Sequence, residues 1–177
     1  WSALEASAAD VGVHRFLPRP LFPSLLANAV SGVVGHSSEL STEESQAREV
    51  PDFSRITVLL AEDVAINQEI FIALLESTGL RIDTADNGLE AVHKFEQQPE
   101  KYDLIIMDLQ MPVMDGYEAT RTIRGMESLK AKTIPIVAMT ANAFKEDIDR
   151  CLSVGMNDHM PKPIDEAVVF EKIRLFT

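Results

Sequence analysis

The sequence predicts an α/β protein built on a doubly wound parallel sheet, and three observations predict it. Five short apolar runs alternate with helical patterns between Ile56 and Thr177, which is the arrangement of successive β-α units. The clearest of these runs are continuously apolar, as strands buried on both faces are. Third, the runs stop abruptly at polar residues, where open α/β sheets hold their chemistry.

The elements follow in order. Ile56-Thr57-Val58-Leu59-Leu60-Ala61 reads as a strand that ends in Glu62-Asp63. A helix follows, with Ile66, Ile70 and Leu74 at spacing four on one face, and Gly79 stops it. Leu80 to Ala85 is a short strand. Asn87 caps a helix carrying Leu89, Ala91, Val92 and Phe95. The run Leu104-Ile105-Ile106-Met107 ends in Asp108, and Met111 to Gly116 is a loop. Taken alone, Asp108 also fits a strand-terminal residue that caps the next turn. A helix is expected from Asp115 to Arg124. The next strand is Thr133 to Thr140, with Pro135 near its start, where a missing N–H is tolerated. A helix from Ala143 to Val154 ends at Gly155. Asp158-His159-Met160 is the last strand, and Asp165 to Leu175 the last helix.

Composition narrows the function. The chain has 177 residues with a net charge of −12, which argues against nucleic-acid binding, because phosphate backbones are held by Lys and Arg. Cys151 is the single cysteine, so no internal disulfide forms and a reducing compartment is expected. Cys151 itself reads as a buried helix residue. No apolar run approaches the roughly 18 residues of a membrane span. The chain opens Trp1-Ser2-Ala3 without Met, which predicts a piece of a longer protein.

The segment before Ile56 is of two kinds. Residues 1–30 begin with a moderately apolar stretch, and residues 31–55 are small, polar and acidic, which predicts a flexible linker. Gly12-Val13-His14-Arg15-Phe16-Leu17-Pro18-Arg19-Pro20 parallels Gly155-Met156-Asn157-Asp158-His159-Met160-Pro161-Lys162-Pro163. In both, Gly is followed at the sixth position by Pro, a cation and Pro. The repeat predicts that residues 1–30 are the C-terminal remnant of a second domain of the same kind. Leu17, Leu21, Phe22, Leu25 and Leu26 give that remnant apolar surface for packing on the main domain or on a second chain, a dimer included.

Polar groups converge at the strand ends. Glu62 and Asp63 follow the first strand, Asp108 ends the third, Thr140 the fourth, and Lys162 follows the fifth. Three carboxylates placed together repel unless a cation lies between them, and hard oxygen ligands suit Mg²⁺. Lys162 compensates charge, and the Thr140 hydroxyl can donate to a phosphoryl oxygen. The set fits nucleophilic catalysis by a carboxylate, giving an aspartyl-phosphate.

Glu62-Asp63, Asp108, Met111-Pro112, Asp115-Gly116, Thr140-Ala141 and Lys162-Pro163 resemble the receiver domain of two-component response regulators, over residues 56–177. Met107 to Gly116, Met139 to Ala143 and Gly155 to His159 are most similar to receivers of hybrid histidine kinases. The resemblance implies a flavodoxin-like sheet of order 2-1-3-4-5. It implies Asp108 as the acceptor of a phosphoryl group from phosphohistidine, with Lys162 and Thr140 as its catalytic partners. Asp63, Glu62 through water, Asp108 and the Gln110 carbonyl oxygen would hold Mg²⁺. Thr140 and His159 would form the switch, although the ring at His159 is more often Tyr or Phe in the family, and an ordinary partly exposed histidine fits there equally. The implied partners are a histidine kinase core and a histidine-phosphotransfer domain. The implied setting is the cytoplasm, within a hybrid kinase that is itself either free or membrane-anchored.

Two other classes draw on the same residues. A receiver-shaped interaction module without phosphorylation has no need of the intact Glu62, Asp63, Asp108, Thr140 and Lys162. An aspartyl-phosphate hydrolase of the dehalogenase type needs a second Asp where this chain has Gln110.

Overall fold

The computed structural model describes residues 50–141 and 144–177. The expected remnant at 1–30, and the expected linker as far as residue 49, lie outside the described residues. Five strands carry the fold: β1 (Thr57–Ala61), β2 (Arg81–Ala85), β3 (Leu104–Asp108), β4 (Ile136–Thr140) and β5 (Asp158–Pro161). They form one sheet in the order β2-β1-β3-β4-β5, every neighbouring pair parallel. Between and after them run α1 (Ala65–Leu75), α2 (Gly88–Gln97), α3 (Gly116–Gly125), the short α4 (Leu129–Thr133), α5 (Lys145–Ser153) and α6 (Glu166–Phe176).

Strand alternation sorts the apolar residues into two cores. Leu59, Ala61, Ile105, Met107, Ile136 and Ala138 face α2, α3, α4 and α5, whose Phe95, Ile123, Ala131 and Cys151 close that side. Val58, Leu60, Leu104, Ile106, Val137 and Met139 face α1 and α6, through Phe71, Leu75, Val169 and Ile173. Each fully buried large side chain contributes about 1.5–3 kcal/mol. Cys151 is buried, as its sequence context suggested.

Helix starts follow from local chemistry. The side chain of Asn87 accepts from the backbone N–H of Glu90, Asp115 from Glu118, and Asp165 from Ala167 and Val168. Such caps contribute about 1 kcal/mol each. Gly79 follows a 3-10 turn with φ 70°, a conformation that strains residues carrying a Cβ.

Three expectations are corrected. The Ile66, Ile70 and Leu74 face meets the core only through Leu74: Ile66 and Ile70 are 57% and 49% exposed, and Phe71 and Leu75 are the buried residues. Apart from Asn67, Gln68 and Glu69 the helix is apolar, so spacing four fits more than one face. The fourth strand begins at Ile136, not Thr133, because Leu129–Thr133 coils as α4. There Arg124 donates to the carbonyls of Ala131, Ile134 and Gly155 and to Asn157 Oδ1 at 2.7–2.9 Å, which fixes the entry to the strand. The folded unit also starts before Ile56. Phe53, placed in the expected linker, is buried; its N–H donates to the Thr78 carbonyl at 2.8 Å and its ring meets Phe170 edge-on at 5.8 Å.

A stability prediction follows from Phe53. Removing residues 1–50 keeps this side chain and should leave a cooperative melt, whereas Phe53→Ala should cost about 3–5 kcal/mol. Chemical denaturation followed by circular dichroism checks both; equal stabilities for the wild-type and Phe53→Ala proteins would place Phe53 outside the core.

Candidate functional site

Register brings the chemistry to one edge. Ala61 pairs with Met107, Asp108 with Met139 and Thr140 with Pro161, so Glu62, Asp108, Thr140 and Lys162 all emerge at the carboxyl ends of adjacent strands. They open onto a cleft of ≈ 360 Å³ that Asp63, Gln110, Asn67, Tyr117, Asp147 and Arg150 also line. The loop after β3 is drawn in tightly: a Cβ on Gly116 would lie 2.2 Å from the Asp108 carbonyl oxygen, so only glycine lets α3 start there.

Lys162 is the hub. Its Nζ donates to Asp108 Oδ2 and to Glu62 Oε2, both at 2.6 Å. The N–H of Gln110 donates to Asp108 Oδ1 at 3.2 Å. Glu62, Asp108 and Thr140 are buried, Lys162 is half-buried and Asp63 is exposed. Burial pushes the Asp108 carboxyl above the usual carboxylate range, and the Lys162 ammonium and the Gln110 N–H resist that rise. Burial works against the Lys162 charge, but the two carboxylates win and hold its pKa above the ordinary lysine value. A buried carboxylate whose charge is balanced from one side has the chemistry to act as a nucleophile.

Asp63 completes an acidic cluster. One carboxylate oxygen from each of Glu62, Asp63 and Asp108 lies within 4.8 Å of the other two. These hard, anionic oxygens, open to the cleft through exposed Asp63, fit a small divalent cation such as Mg²⁺.

The structure thus gathers Glu62, Asp63, Asp108, Gln110, Thr140 and Lys162 in one place. His159 is not among the residues lining the cleft. It is half-buried on β5, with Nδ1 3.6 Å from Asp158 Oδ1. It pairs with Ala138, two residues before Thr140, so register puts His159 and Thr140 on the same face of the sheet.

Sequence reasoning missed several neighbours. The Asn67 side chain donates to Glu62 Oε1 at 2.7 Å, and Gln68 Nε2 to the Glu62 carbonyl at 2.6 Å and to Asp86 Oδ1 at 2.9 Å. Their signal was two adjacent amides in the first turn of a largely apolar helix. The Arg150 guanidinium lies over the Tyr117 ring at 4.1 Å, a stack that ties α5 to α3. Desolvation, with Cys151 beside it, lifts the Tyr117 hydroxyl to about 12.

Fold and cleft together define a doubly wound α/β domain with an acidic triad closed by one lysine. Comparison with known proteins gives this class its family. Residues 58–174 match the response regulator receiver domain, and the chain belongs to that family. It is 42% identical over 125 residues to the two-component response regulator ORR41 of Oryza sativa subsp. japonica, covering 68% of this chain and 95% of that protein. It is 47% identical over 116 residues to hybrid signal transduction histidine kinase B of Dictyostelium discoideum, covering 60% of this chain but only 6% of that protein. Among solved structures, the receiver domain of sensor histidine kinase PA1611 from Pseudomonas aeruginosa PAO1, with a magnesium ion coordinated in its active site cleft, superposes with a TM-score of 0.62. It shares 40% identity and covers 68% of this chain and 96% of that one. The receiver domain of Saccharomyces cerevisiae Ssk1, co-crystallised with the histidine phosphotransfer protein Ypd1, superposes with a TM-score of 0.62 at 34% identity, covering 71% and 89%. Among the described residues no helix is long and apolar enough to cross a membrane.

Proposed function

We propose that this receiver takes a phosphoryl group from a phosphohistidine onto Asp108, within a hybrid histidine kinase. The observation that carries the reading is Lys162 Nζ at 2.6 Å from both Asp108 and Glu62 in an open acidic cleft. An Asp108 carboxylate oxygen forms a bond to phosphorus as the phosphorus–nitrogen bond to the donor imidazole breaks, and the imidazole nitrogen keeps the electron pair. Lys162 is already in contact with the nucleophile and can follow the charge onto the phosphoryl oxygens. Thr140, at the end of the adjacent strand, is assigned to donate its hydroxyl to one of those oxygens. Glu62, Asp63, Asp108 and the Gln110 carbonyl oxygen are assigned to hold Mg²⁺. The bound ion would neutralise charge gathering on the phosphoryl group. Thr140 and His159, on one face of the sheet, are assigned as the switch pair. The single buried thiol, Cys151, fits a reducing cytoplasm. Incubation with acetyl phosphate and Mg²⁺ followed by intact-mass measurement tests the reading: one added phosphoryl group supports it, and an unchanged mass sinks it.

The proposed phosphoryl partner is a histidine kinase core or a histidine-phosphotransfer domain, as in the Ypd1–Ssk1 complex. Val64 at the rim of the cleft and Ile66 and Ile70 of α1 are exposed, with half-buried Ile164 following Lys162. Apolar side chains standing in solvent around a reactive cleft suit a protein surface better than a small molecule. Charged residues at both Ile66 and Ile164 should slow transfer from a phosphorylated phosphotransfer protein by about 10-fold or more, with acetyl phosphate labelling intact. Unchanged transfer rates in a stopped-time assay would move the docking surface elsewhere.

A further inference from the structure

We propose that Asn67 is the positioning residue of the cation site, acting through Glu62. This rests on the Mg²⁺ reading above and names the residue that presets the site. Glu62 is 2% exposed, so both its carboxylate oxygens need partners within the protein or the cleft. Lys162 Nζ satisfies Oε2 at 2.6 Å and Asn67 Nδ2 satisfies Oε1 at 2.7 Å. A carboxylate only accepts, so the Asn67 amide must turn its nitrogen toward Glu62.

The two partners are not equivalent. Lys162 is shared with Asp108 and follows charge. Asn67 sits in the first turn of α1, where its own N–H donates to the Val64 carbonyl at 2.9 Å, so it is fixed to a rigid element. The next residue, Gln68, pins the main chain of Glu62. Side chain and main chain of the same acid are thus held by consecutive residues of one helix turn. With Oε1 anchored, the remaining oxygen keeps its aim into the cleft whether or not Lys162 stays in contact. Without Asn67, Oε1 loses its donor, and the carboxylate is free to turn toward Lys162, which then competes with the cation for it. Partners that orient a metal's ligands in this way typically alter affinity by roughly 10–100-fold.

Calorimetric titration with Mg²⁺ alone tests this. Asn67→Ala and Asn67→Leu remove the donor; alanine is the best helix former, and a melting curve confirms folding. Both should bind Mg²⁺ about 10-fold more weakly than the wild type. In a Glu62→Ala background, adding Asn67→Ala should change nothing further, because the coupling runs through Glu62. Unchanged affinity in the single variants, or the same 10-fold loss with Glu62 already absent, would overturn the role of Asn67 while leaving the Mg²⁺ reading in place. A wild-type protein that binds no Mg²⁺ would overturn both.

Discussion

The Asp108→Asn variant should gain no phosphoryl group from acetyl phosphate under conditions that label the wild type fully. The substitution keeps the shape and one oxygen but removes the anionic nucleophile. Among the described residues, only Asp108 and Glu62 combine burial at a strand end with a lysine ammonium at 2.6 Å. Glu62 shares the ammonium, but both its oxygens already accept hydrogen bonds from the protein. The rate should therefore fall by at least about 10³-fold. Stability should move the other way or stay put. Burial holds the Asp108 carboxyl above its ordinary value, so the charged form opposes folding, and stability falls as pH rises from the unfolded value through the folded one. A neutral amide escapes that penalty, and the variant should melt no lower than the wild type at neutral pH. Intact-mass spectrometry and thermal melting read the two halves separately. A single added phosphoryl group on Asp108→Asn would show that the acceptor lies elsewhere.

Withdrawing Mg²⁺ should be nearly as severe. Glu62, Asp63 and Asp108 offer oxygens within 4.8 Å of one another, against one ammonium from Lys162. An incoming phosphoryl group adds more negative charge to that space. Excess chelator should slow phosphorylation by about 10²-fold or more, and Asp63→Asn should do the same at limiting Mg²⁺. Asp63 is exposed, so its loss should leave the melting temperature within a few degrees. Equal rates with and without chelator would remove the cation from the reaction.

Much of this architecture was legible because strands and caps are local chemistry. Leu104 to Met107, a short apolar run closed by Pro and Gly, reads as a strand buried on both sides, and Asn87, Asp115 and Asp165 announce helix starts through side chains that reach two or three residues ahead. Sheet order and the position of Asp108, Thr140 and Lys162 then followed from the resemblance and from β-α alternation. What stayed hidden depends on distant partners. The core face of α1 is chosen by what packs on Phe71 and Leu75, not by spacing. Leu129–Thr133 is too short to show a period, and Arg124 fixes its surroundings through carbonyls that no sequence pattern displays. Phe53 looked like linker because its ring contact is with Phe170, at the other end of the domain. Asn67 drew no notice in the sequence because its contact with Glu62 exists only once β1 and α1 have folded against each other.

The Lys162 contact also orders events in time. Lys162 reaches Glu62 across 100 positions of sequence and Asp108 across 54. A growing chain therefore completes β1, β3 and their acids long before the lysine that balances them has been made. Until β5 docks, at the far edge of the sheet, Glu62 and Asp108 lack their ammonium and repel each other, so on the proposed mechanism a partly synthesised domain should have no competent acceptor. Closing so long a loop is entropically slow. Labelling competence during refolding should accordingly lag behind the collapse of β1, β2 and β3, and a receiver interrupted before Lys162 should take no label from its donor.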